Sequence, residues 1–360
     1  MRLGLDVTPL LRPRTGIGVF TAMLVRHAEQ AGTEVAGLVS PFRRGRLPGG
    51  NAVRSAPCWV PGPLAGLCFD YLGWPTVETF LGPLDAYLAT NFILPPCRDA
   101  VGAAYLHDLG PLVMPQHYRA RQRARFERRI RSCCRSARVL MTPTRAVADE
   151  LIDLGLAPRE RIVVVPPGCP QPPLEGPRSP PSGRYLLSVA NFERRKNLPF
   201  LVRAFARAAR SLSHELLLVG AGPCRDEILG AAAQAGVRNR VRLVGQVAPE
   251  QLRGLYAGAD LMLTASGYEG FGLPVLEAMA LSCPVLASDI PAHREVADGA
   301  ARLAPGNDEE AFAHALLELM RDADARDDLA RRGTERCADF SWKATVRGVR
   351  SAIEQAQART

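Results

Sequence analysis

One stretch of the chain, from Thr264 to Ala280, constrains the fold more than any other. An apolar run at 261–263 leads into it and has the length of a buried parallel strand. Three glycines follow within six residues, and Pro274 then suits the first turn of a helix. Glycines let the backbone approach a ligand closely, and the free N–H groups at a helix start attract anions. The stretch therefore predicts a strand, a glycine turn and a helix, with an anion site at the turn.

Two carboxylates bracket this turn. Glu269 precedes the last two glycines, and Glu277 lies about one helical turn inside the predicted helix, so we expect both to face the same crevice. A carboxylate beside an anion site is unfavourable unless the ligand also carries hydroxyls, which donate hydrogen bonds to carboxylates. A sugar nucleotide carries both phosphate and hydroxyl groups, and it is the ligand that this arrangement favours.

The sequence that flanks the two glutamates is informative in addition to their spacing. Glu269-Gly-Phe-Gly-Leu-Pro-Val-Leu-Glu277 is followed by Pro284-Val-Leu-Ala-Ser288-Asp-Ile-Pro and by Arg294-Glu-Val-Ala. This run of roughly thirty residues resembles the paired-glutamate signature of the retaining glycosyltransferases of family 4, also called group 1. The alternative is an ordinary corner with solvated glutamates. The resemblance covers nearly the whole chain and implies two doubly wound (Rossmann-like) α/β domains that face each other across a cleft, the glycosyltransferase-B architecture.

Composition supports a globular protein of two domains. The chain has 360 residues, of which 47% are hydrophobic and 22% are charged. No apolar run is long enough to span a membrane, and Asp6 interrupts the first apolar stretch, so we expect a strand there, no signal peptide, and a cytoplasmic protein. Nine cysteines without a Cys-x-x-Cys pair argue against a disulfide framework and a zinc site.

The charge is strongly basic, with a net charge of +9 and an isoelectric point near 9.4. All but two of the 45 basic residues are arginines. No nucleic-acid motif with interleaved aromatic residues is present, so we expect no nucleic-acid partner. The segment Arg119–Arg138 predicts a helix with one narrow packed face, on which Phe126 and Ile130 recur, and a cationic remainder. Two interpretations stay open: a solvated helix, or a peripheral contact with anionic lipid at the inner membrane face.

Two segments of the first half follow directly after predicted strands, a position that is typical of ligand sites. Gly16 and Gly18 come between the first strand and a helix and permit the approach of a phosphate. They resemble the first glycine loop of the family, whose backbone reaches the donor diphosphate. His107 and Asp108 also lie at the carboxyl end of an apolar predicted strand. This segment is similar to the His-Asp-Leu segment of the family, in which the histidine lies beside the donor sugar.

A lysine loop follows the first predicted strand of the second half. Lys196 is a compact point charge at a strand-to-helix loop, where a diphosphate binds well. The segment resembles the Arg-Lys-Asn loop of the family, whose lysine meets the diphosphate. Many members carry arginine at the position of Asn191, so either Arg194 or Arg195 supplies the second positive charge. In the family, the loop after the strand that corresponds to 241–245 cradles the base mainly through its backbone, so the resemblance implies such contacts near Val247.

Domain boundaries follow from proline content and from the family resemblance. The proline-rich segment 169–183 cannot join a helix or sheet interior and predicts a stiff linker. We therefore predict a first domain at 1–168 that includes 342–360, and a second domain at 184–341. Residues 41–80, rich in glycine, proline and aromatic residues, form either an acceptor-side wall or an ordinary packed excursion.

The resemblance implies the transfer of a hexose from a nucleotide diphosphate sugar to a hydroxyl acceptor with retention of configuration. GDP-mannose is the preferred donor, because the wording is similar to that of bacterial polysaccharide mannosyltransferases. The acceptor belongs to a polysaccharide, a glycolipid such as a lipid-linked glycan, or a secondary metabolite. No Asp-x-Asp motif follows a predicted strand, so we expect neither a metal nor a cofactor. The catalytic positions would be His107 and Glu269, and the donor-binding positions would be Gly16, Gly18, Arg195, Lys196, Val247, Gly270, Phe271, Gly272, Leu273 and Glu277.

Three other functions remain open on the sequence alone. A phosphorylase or a sugar-nucleotide epimerase on the same fold would act without an exogenous acceptor hydroxyl. A noncatalytic protein would bind the sugar nucleotide without turnover. A basic surface protein would use its arginine helix and would be indifferent to the loss of Glu269.

Overall fold

The computed structural model describes residues 1–11, 15–39, 54–57, 68–169 and 183–359. The chain divides into two compact units, Met1–Gly168 with Ser341–Thr360 and Cys169–Phe340. Within the described residues, each unit contains one parallel sheet with an apolar cluster on either face. The predicted fold class, two doubly wound α/β domains, is confirmed.

The first unit is built on a seven-stranded sheet with the order β3-β2-β1-β4-β5-β6-β7. Its strands are β1 (Arg2–Asp6), β2 (Glu34–Val39), β3 (Arg54–Pro57), β4 (Ala86–Ala89), β5 (Val101–Tyr105), β6 (Val139–Thr142) and β7 (Ile162–Val164). Its helices are α1 (Gly16–Gln30), α2 (Val77–Leu81), α3 (Gly110–Val113), α4 (Ala120–Ser136) and α5 (Arg145–Asp153). Short 3₁₀ segments lie at Thr8–Leu11, Pro115–His117 and Arg159–Arg161, and a π-helical turn lies at Cys68–Leu72.

The second unit repeats the plan with a six-stranded sheet in the order β10-β9-β8-β11-β12-β13. Its strands are β8 (Tyr185–Val189), β9 (Glu215–Val219), β10 (Val241–Gly245), β11 (Leu261–Thr264), β12 (Val285–Ser288) and β13 (Arg302–Ala304). Its helices are α6 (Leu198–Ala209), α7 (Arg225–Gln234), α8 (Pro249–Ala257), α9 (Leu273–Ala280), α10 (Pro291–Ala297), α11 (Glu309–Arg321) and α12 (Ala323–Cys337). Arg194–Lys196 and Arg238–Arg240 are single 3₁₀ turns.

Both sheets have the buried, apolar strands that parallel sheets require, because helices cover both faces. Every residue of β5, β6, β11 and β12 is buried. In each unit the strand order reverses beside the first strand, at β1–β4 in the first and at β8–β11 in the second. Open α/β sheets bind ligands at the carboxyl ends of the strands at such a reversal.

The last helix, α13 (Trp342–Ala358), packs on the first unit. The buried Trp342 side chain lies against Phe20 with ring centroids 5.8 Å apart. A Cβ atom at Gly168 would lie 2.5 Å from Trp342, so only glycine admits this indole. Thr345 Oγ1 also donates a hydrogen bond to the carbonyl of Pro166 at 2.8 Å.

Two predicted segments fall largely outside the described residues. Of the predicted linker 169–183, Cys169 belongs to the second unit and its N–H donates to the carbonyl of Phe340 at 2.8 Å. Residues 170–182 lie outside the described part, as do 41–53 and 58–67 of the predicted acceptor-side wall. No helix among the described residues combines the length and the apolar character that crossing a membrane would need.

Candidate functional site

Two loops meet at the carboxyl edge of the second sheet. The loop after β8 carries Arg195 and Lys196, and the loop after β11 carries Glu269 and the glycine turn. Because β8 and β11 are neighbours in the sheet, their loops emerge side by side. The N–H of Gly267 donates a hydrogen bond to the carbonyl of Arg195 at 2.8 Å, which ties the two loops together. Sheet topology thus brings together residues that are more than seventy positions apart.

Glu269 is held by three side-chain donors. Lys196 Nζ and Ser266 Oγ both donate to Glu269 Oε1, the second at 2.8 Å. Arg195 Nη1 donates to Oε2 at 3.2 Å and to the carbonyl of Tyr268 at 3.3 Å. The side chains of Lys196 and Glu269 are only 9% and 10% exposed. Two cations therefore surround one buried carboxylate, and Arg195 Nε also pairs with the carboxylate of Glu193 at 3.1 Å.

The protonation states of this cluster follow from burial and charge together. Burial raises the pKa of Glu269, but the charges of Lys196 and Arg195 outweigh it and hold this pKa at about 2. Burial lowers the pKa of Lys196, and the carboxylate of Glu269 opposes that shift. Glu269 is ionised at neutral pH, so it accepts hydrogen bonds and cannot act as a proton donor.

The two arginines that could replace the cation missing at Asn191 have different surroundings. Arg194 is exposed, and its Nη2 pairs with Glu227 of α7 at 3.2 Å. Arg195 is 14% exposed and contacts Glu269. Of the two alternatives, Arg195 lies beside the lysine.

The glycine turn needs glycine at Gly272 for two reasons. Its φ of +99° lies in the left-handed region, and a Cβ atom there would come within 3.1 Å of Cδ2 of His293. Helix α9 begins directly after it, at Leu273, one residue before the predicted Pro274. The N–H groups of Phe271, Gly272 and Leu273 donate to no other residue in the part of the chain that the structure describes. They form the kind of open helix start that binds anions.

A buried histidine, which the sequence analysis did not identify, supports this turn from below. His293 is 1% exposed, and its Nδ1 donates to the carbonyl of Ser288 at 2.8 Å. Ser288 Oγ in turn donates to the carbonyl of Ser266 at 2.6 Å. Burial lowers the pKa of His293, partly opposed by Glu269, which favours the neutral ring. The signal in the sequence was the polar pair Ser288-Asp289 at the end of a buried strand.

Glu277 has a different environment from Glu269. Its Oε2 accepts a hydrogen bond from the hydroxyl of Tyr256 at 2.9 Å. Burial raises the pKa of Glu277 to about 7, although the Tyr256 bond lowers it. The two glutamates that were expected to face one crevice thus have separate sets of partners among the described residues. Tyr256 was also missed, because a tyrosine at helical spacing is indistinguishable from a core residue in a sequence.

Val247 lies two residues beyond β10 and is partly buried against the apolar cluster of the second unit. The loop it occupies starts at Gly245, which has a φ of +81° and accepts a hydrogen bond from the N–H of Gly220 at 2.9 Å. This places the loop after β10 beside the loop after β9, at the carboxyl edge of the second sheet.

His107 lies in the first unit, two residues beyond β5. Its ring packs edge-on against Phe20 at 4.9 Å and tilted against Tyr105 at 4.7 Å. Burial lowers its pKa to about 4, opposed by Asp108 and by a hydrogen bond to the backbone of Thr90. Its buried Nε2 has no hydrogen-bond partner among the described residues. A neutral ring with an unused acceptor is the result.

Gly16 and Gly18 do not form the predicted loop. They are the first and third residues of α1, which Thr15 caps by accepting a hydrogen bond from the N–H of Gly18 at 3.1 Å. A Cβ atom at Gly18 would lie 3.2 Å from the carbonyl oxygen of Pro9, so close helix packing explains this glycine. Residues 12–14, which precede the cap, lie outside the described residues.

Both units of the chain are similar in sequence to known proteins. The family model described as "Glycosyl transferases group 1" matches residues 175–336, and that described as "Glycosyltransferase Family 4" matches residues 14–170. The O-antigen chain mannosyltransferase B of Escherichia coli is 30% identical over 273 residues, which cover 71% of this chain and 71% of that protein.

Solved structures with the same fold cover the chain almost completely. Sucrose-phosphate synthase from Thermosynechococcus elongatus has a TM-score of 0.77 at 20% identity, with all of both chains covered at 100%. HepE of Anabaena, solved in complex with UDP-glucose, has a TM-score of 0.72 at 16% identity and covers 98% of this chain and 99% of that one. At these identities the likeness establishes the fold alone. Together with the family matches, it shows that the chain is a glycosyltransferase of group 1 and family 4 with the glycosyltransferase-B fold.

Proposed function

We propose that this glycosyltransferase moves a hexose from a nucleotide diphosphate sugar to a hydroxyl acceptor with retention of anomeric configuration. The observation that carries the proposal is the convergence of Lys196 and Arg195 on Glu269, beside the open helix start of α9. Cations and free N–H groups bind a diphosphate, and a permanently ionised carboxylate accepts hydrogen bonds from sugar hydroxyls. The UDP-glucose bound to HepE, a protein of the same fold, supports this class of donor.

The diphosphate is the leaving group, and charge accumulates on it during transfer. Lys196, Arg195 and the backbone from Gly270 to Leu273 would stabilise that charge electrostatically. The bond from the anomeric carbon to the diphosphate oxygen breaks as the bond to the acceptor oxygen forms. The acceptor proton passes to the departing diphosphate oxygen, which needs no separate general base.

The sugar rings would be held by groups that accept hydrogen bonds. Glu269 would accept from hexose hydroxyls, since its pKa of about 2 keeps it ionised. His107 would accept a hexose hydroxyl at its unpartnered Nε2. Glu277 would accept from the ribose hydroxyls, and the loop at Val247 would contact the base.

Donor and acceptor are narrower proposals. GDP-mannose is the proposed donor, supported by the similarity to the E. coli O-antigen mannosyltransferase. UDP-glucose is the competing donor, supported by HepE. The proposed acceptor is a hydroxyl of a polysaccharide or glycolipid under synthesis, such as a lipid-linked glycan, with a secondary metabolite as the alternative.

A peripheral membrane contact is proposed for α4, on the cytoplasmic side of an inner membrane. The helix buries Ile130, Cys133 and Cys134, as the predicted narrow face requires. Burial first, and then the charges of the neighbouring Arg125 and Arg128, lower the pKa of Arg129 to about 10. The exposed arginines of this segment are Arg119, Arg121, Arg123, Arg125, Arg128, Arg131, Arg135 and Arg138.

Metal-independent transfer is proposed because no Asp-x-Asp motif follows a strand in the sequence. Activity should persist in an excess of chelator. Activity that chelator abolishes and added metal restores would contradict this.

Thermal shift against UDP-, GDP-, ADP- and TDP-sugars tests the function most directly. A ligand at a hundred times its dissociation constant adds about 2.7 kcal/mol of stability. We expect one nucleotide to raise the melting temperature of the wild type, and Lys196→Ala to abolish that rise. Lys343→Ala, the exposed second lysine of the chain, is the matched control and should keep it.

The outcomes separate the rival functions. A rise that Lys196→Ala leaves intact would refute the site. Binding without a glycosylated product in any acceptor mixture would favour a noncatalytic binder. Product formed without an acceptor hydroxyl would identify a phosphorylase or an epimerase.

A further inference from the structure

A buried hydroxyl contacts the second glutamate of the signature. Tyr256 on α8 is 1% exposed and donates to Glu277 on α9 at 2.9 Å. We infer that Tyr256 is a positioning residue, which orients the Glu277 carboxylate toward the ribose of the donor. The inference rests on the proposed function, in which Glu277 binds the ribose hydroxyls.

The direction of this hydrogen bond is set by the surroundings of Tyr256. The ring packs in the apolar cluster of the second unit that also contains Val275 and Met279. Burial first, and then the charge of Glu277, raise the pKa of the Tyr256 hydroxyl well above its usual value of 10.0. The hydroxyl therefore keeps its proton at every working pH, and it is the donor whenever Glu277 is ionised. A buried phenol needs such a partner, so the pair is mutually dependent.

The consequence falls on the carboxylate. Its two oxygens offer about four acceptor positions, and Tyr256 takes one of those on Oε2. Oε1 and the rest of Oε2 remain for the two vicinal hydroxyls of a ribose. Without the tyrosine hydroxyl, burial would favour the protonated acid, which donates one hydrogen bond and is free to rotate. Tyr256 thus favours both the charge and the orientation that ribose recognition uses.

Among the described residues, the apolar cluster that holds Tyr256 also contains three thiols. The charge of Glu277 is felt by Cys169, the first residue of the second unit, which shares a hydrogen bond with Cys337 of α12. The third thiol, Cys283, faces Tyr256, and burial raises its pKa to about 12. Cys169 is therefore the group to remove when the pH dependence of Glu277 is measured.

The test compares ribose with deoxyribose nucleotides in one chemical series. Calorimetric dissociation constants are measured for GDP against 2′-deoxy-GDP and for UDP against 2′-deoxy-UDP. We expect the wild type to prefer ribose. Tyr256→Phe should cut that preference about tenfold, the usual effect of losing one hydrogen bond to a charged group.

Tyr185→Phe is the matched control. Tyr185 lies in the same apolar cluster, and its hydroxyl donates to the carbonyl of Leu255 at 2.8 Å and not to a carboxylate. The same atom is removed, yet the ribose preference should be unchanged. A loss of preference in both variants would indicate general damage to this core and would overturn the inference.

The pH profile distinguishes positioning from packing. Binding of ribose requires ionised Glu277, and burial raises the pKa of Glu277 to about 7. The ribose preference should therefore rise as the pH increases through neutrality. In Tyr256→Phe the rise should move to higher pH. The ratio of the two nucleotides cancels the titration of the diphosphate, which both share, and Cys169→Ser should leave the wild-type profile in place. An unchanged midpoint in Tyr256→Phe would overturn the inference.

Glu277→Gln separates the inference from the function on which it rests. If the wild type shows no ribose preference, or Glu277→Gln keeps it, the role proposed for Glu277 fails. If Glu277→Gln loses the preference while Tyr256→Phe retains it, only the role of Tyr256 fails.

A double variant covers the case in which Tyr256→Phe unfolds. Glu277→Gln with Tyr256→Phe carries no buried charge to leave unpaired. Its ribose-to-deoxyribose ratio should equal that of Glu277→Gln alone. A further drop would show that the hydroxyl acts independently of Glu277 and would overturn the inference.

Discussion

Glu269 and Glu277 are the same residue type on the same loop and helix, yet they differ in proton affinity by several orders of magnitude. Both are largely removed from water, which raises the pKa of each. Lys196 and Arg195 reverse that effect at Glu269, whereas the side-chain partner of Glu277 among the described residues is the hydroxyl of Tyr256. Pairs of titratable groups with divergent pKa values mark different chemical tasks. The carboxylate of Glu269 stays ionised at neutral pH, whereas the carboxylate of Glu277 gains or loses its proton near pH 7.

The pH dependence of stability should show this difference. Glu277 titrates near 4.5 when unfolded and at about 7 when folded. The folded protein binds this proton more tightly, so the contribution is present below pH 4.5 and is lost as pH rises through 7. Across that window, the wild type should lose about 3 kcal/mol of unfolding free energy relative to Glu277→Gln. Urea unfolding of the free protein at several pH values measures it, and parallel pH curves for the two proteins would contradict it.

At the scale of elements, the start of α9 combines an anion site with a constrained turn. The helix start is open because Gly272 turns the chain with a positive φ and leaves three N–H groups unused by other described residues. The ring of His293, which also contacts Ser288 Oγ, lies beneath the turn, and its Cδ2 would be only 3.1 Å from a Cβ atom at Gly272.

Gly272→Ala should therefore be costly in both stability and binding. Strain in the left-handed region and the contact with His293 should destabilise the protein by about 2 kcal/mol or more, and the nucleotide-induced thermal shift should be lost. Gly236→Ala is the control, since Gly236 has a φ of +70° and open space around it. It should cost about 1 kcal/mol and keep the shift. Equal losses of stability in Gly272→Ala and Gly236→Ala would contradict a role for the contact with His293.

Helix α4 makes a prediction of its own. Arg121→Glu with Arg125→Glu should weaken binding to anionic vesicles at least about thirtyfold, because each basic residue near such a surface contributes about 1 kcal/mol. Arg225→Glu with Arg238→Glu changes the net charge equally on the exposed surface of the second unit and should have little effect. Vesicle sedimentation at two salt concentrations measures it. Binding by the wild type that is absent or insensitive to salt would contradict a membrane role.

At the scale of the whole molecule, the chain changes units between Phe340 and Ser341. Two aromatic residues flank this point and pack in different cores. Phe340 lies against Phe271 at 5.7 Å in the second unit, and Trp342 lies against Phe20 and Gly168 in the first. Neighbours in sequence thus stabilise different sheets.

Replacing each of these two aromatic side chains by alanine should show that they stabilise separate cores. Trp342→Ala should cost about 3–5 kcal/mol and raise hydrogen exchange in the strands of the first unit. Phe340→Ala should do the same in the second unit. Each variant serves as the control for the other, and exchange that rises equally in both units would contradict two separate cores.

Local patterns in the sequence determined the class of fold and indicated the loops that form the candidate site. Apolar runs followed by glycine turns predicted parallel strands, since a strand buried on both faces must be apolar throughout. Lys196, Glu269 and the start of α9 could be identified because they follow strand ends and lie in distinctive sequence motifs. The placement of Gly16 and Gly18 in a loop was wrong, because Thr15 caps the helix and both glycines lie in its first turn, where Gly18 packs against the carbonyl oxygen of Pro9.

Only the tertiary structure decided which partners each group has. The choice of Arg195 over Arg194, the support from His293 and the hydrogen bond from Tyr256 all join residues on different elements. The two glutamates have pKa values of about 2 and about 7 because of neighbours that lie far away in the chain. A sequence specifies which groups exist and where strands end. Proton affinity depends on burial and on charges across space, and these exist only once the sheet has brought its loops together.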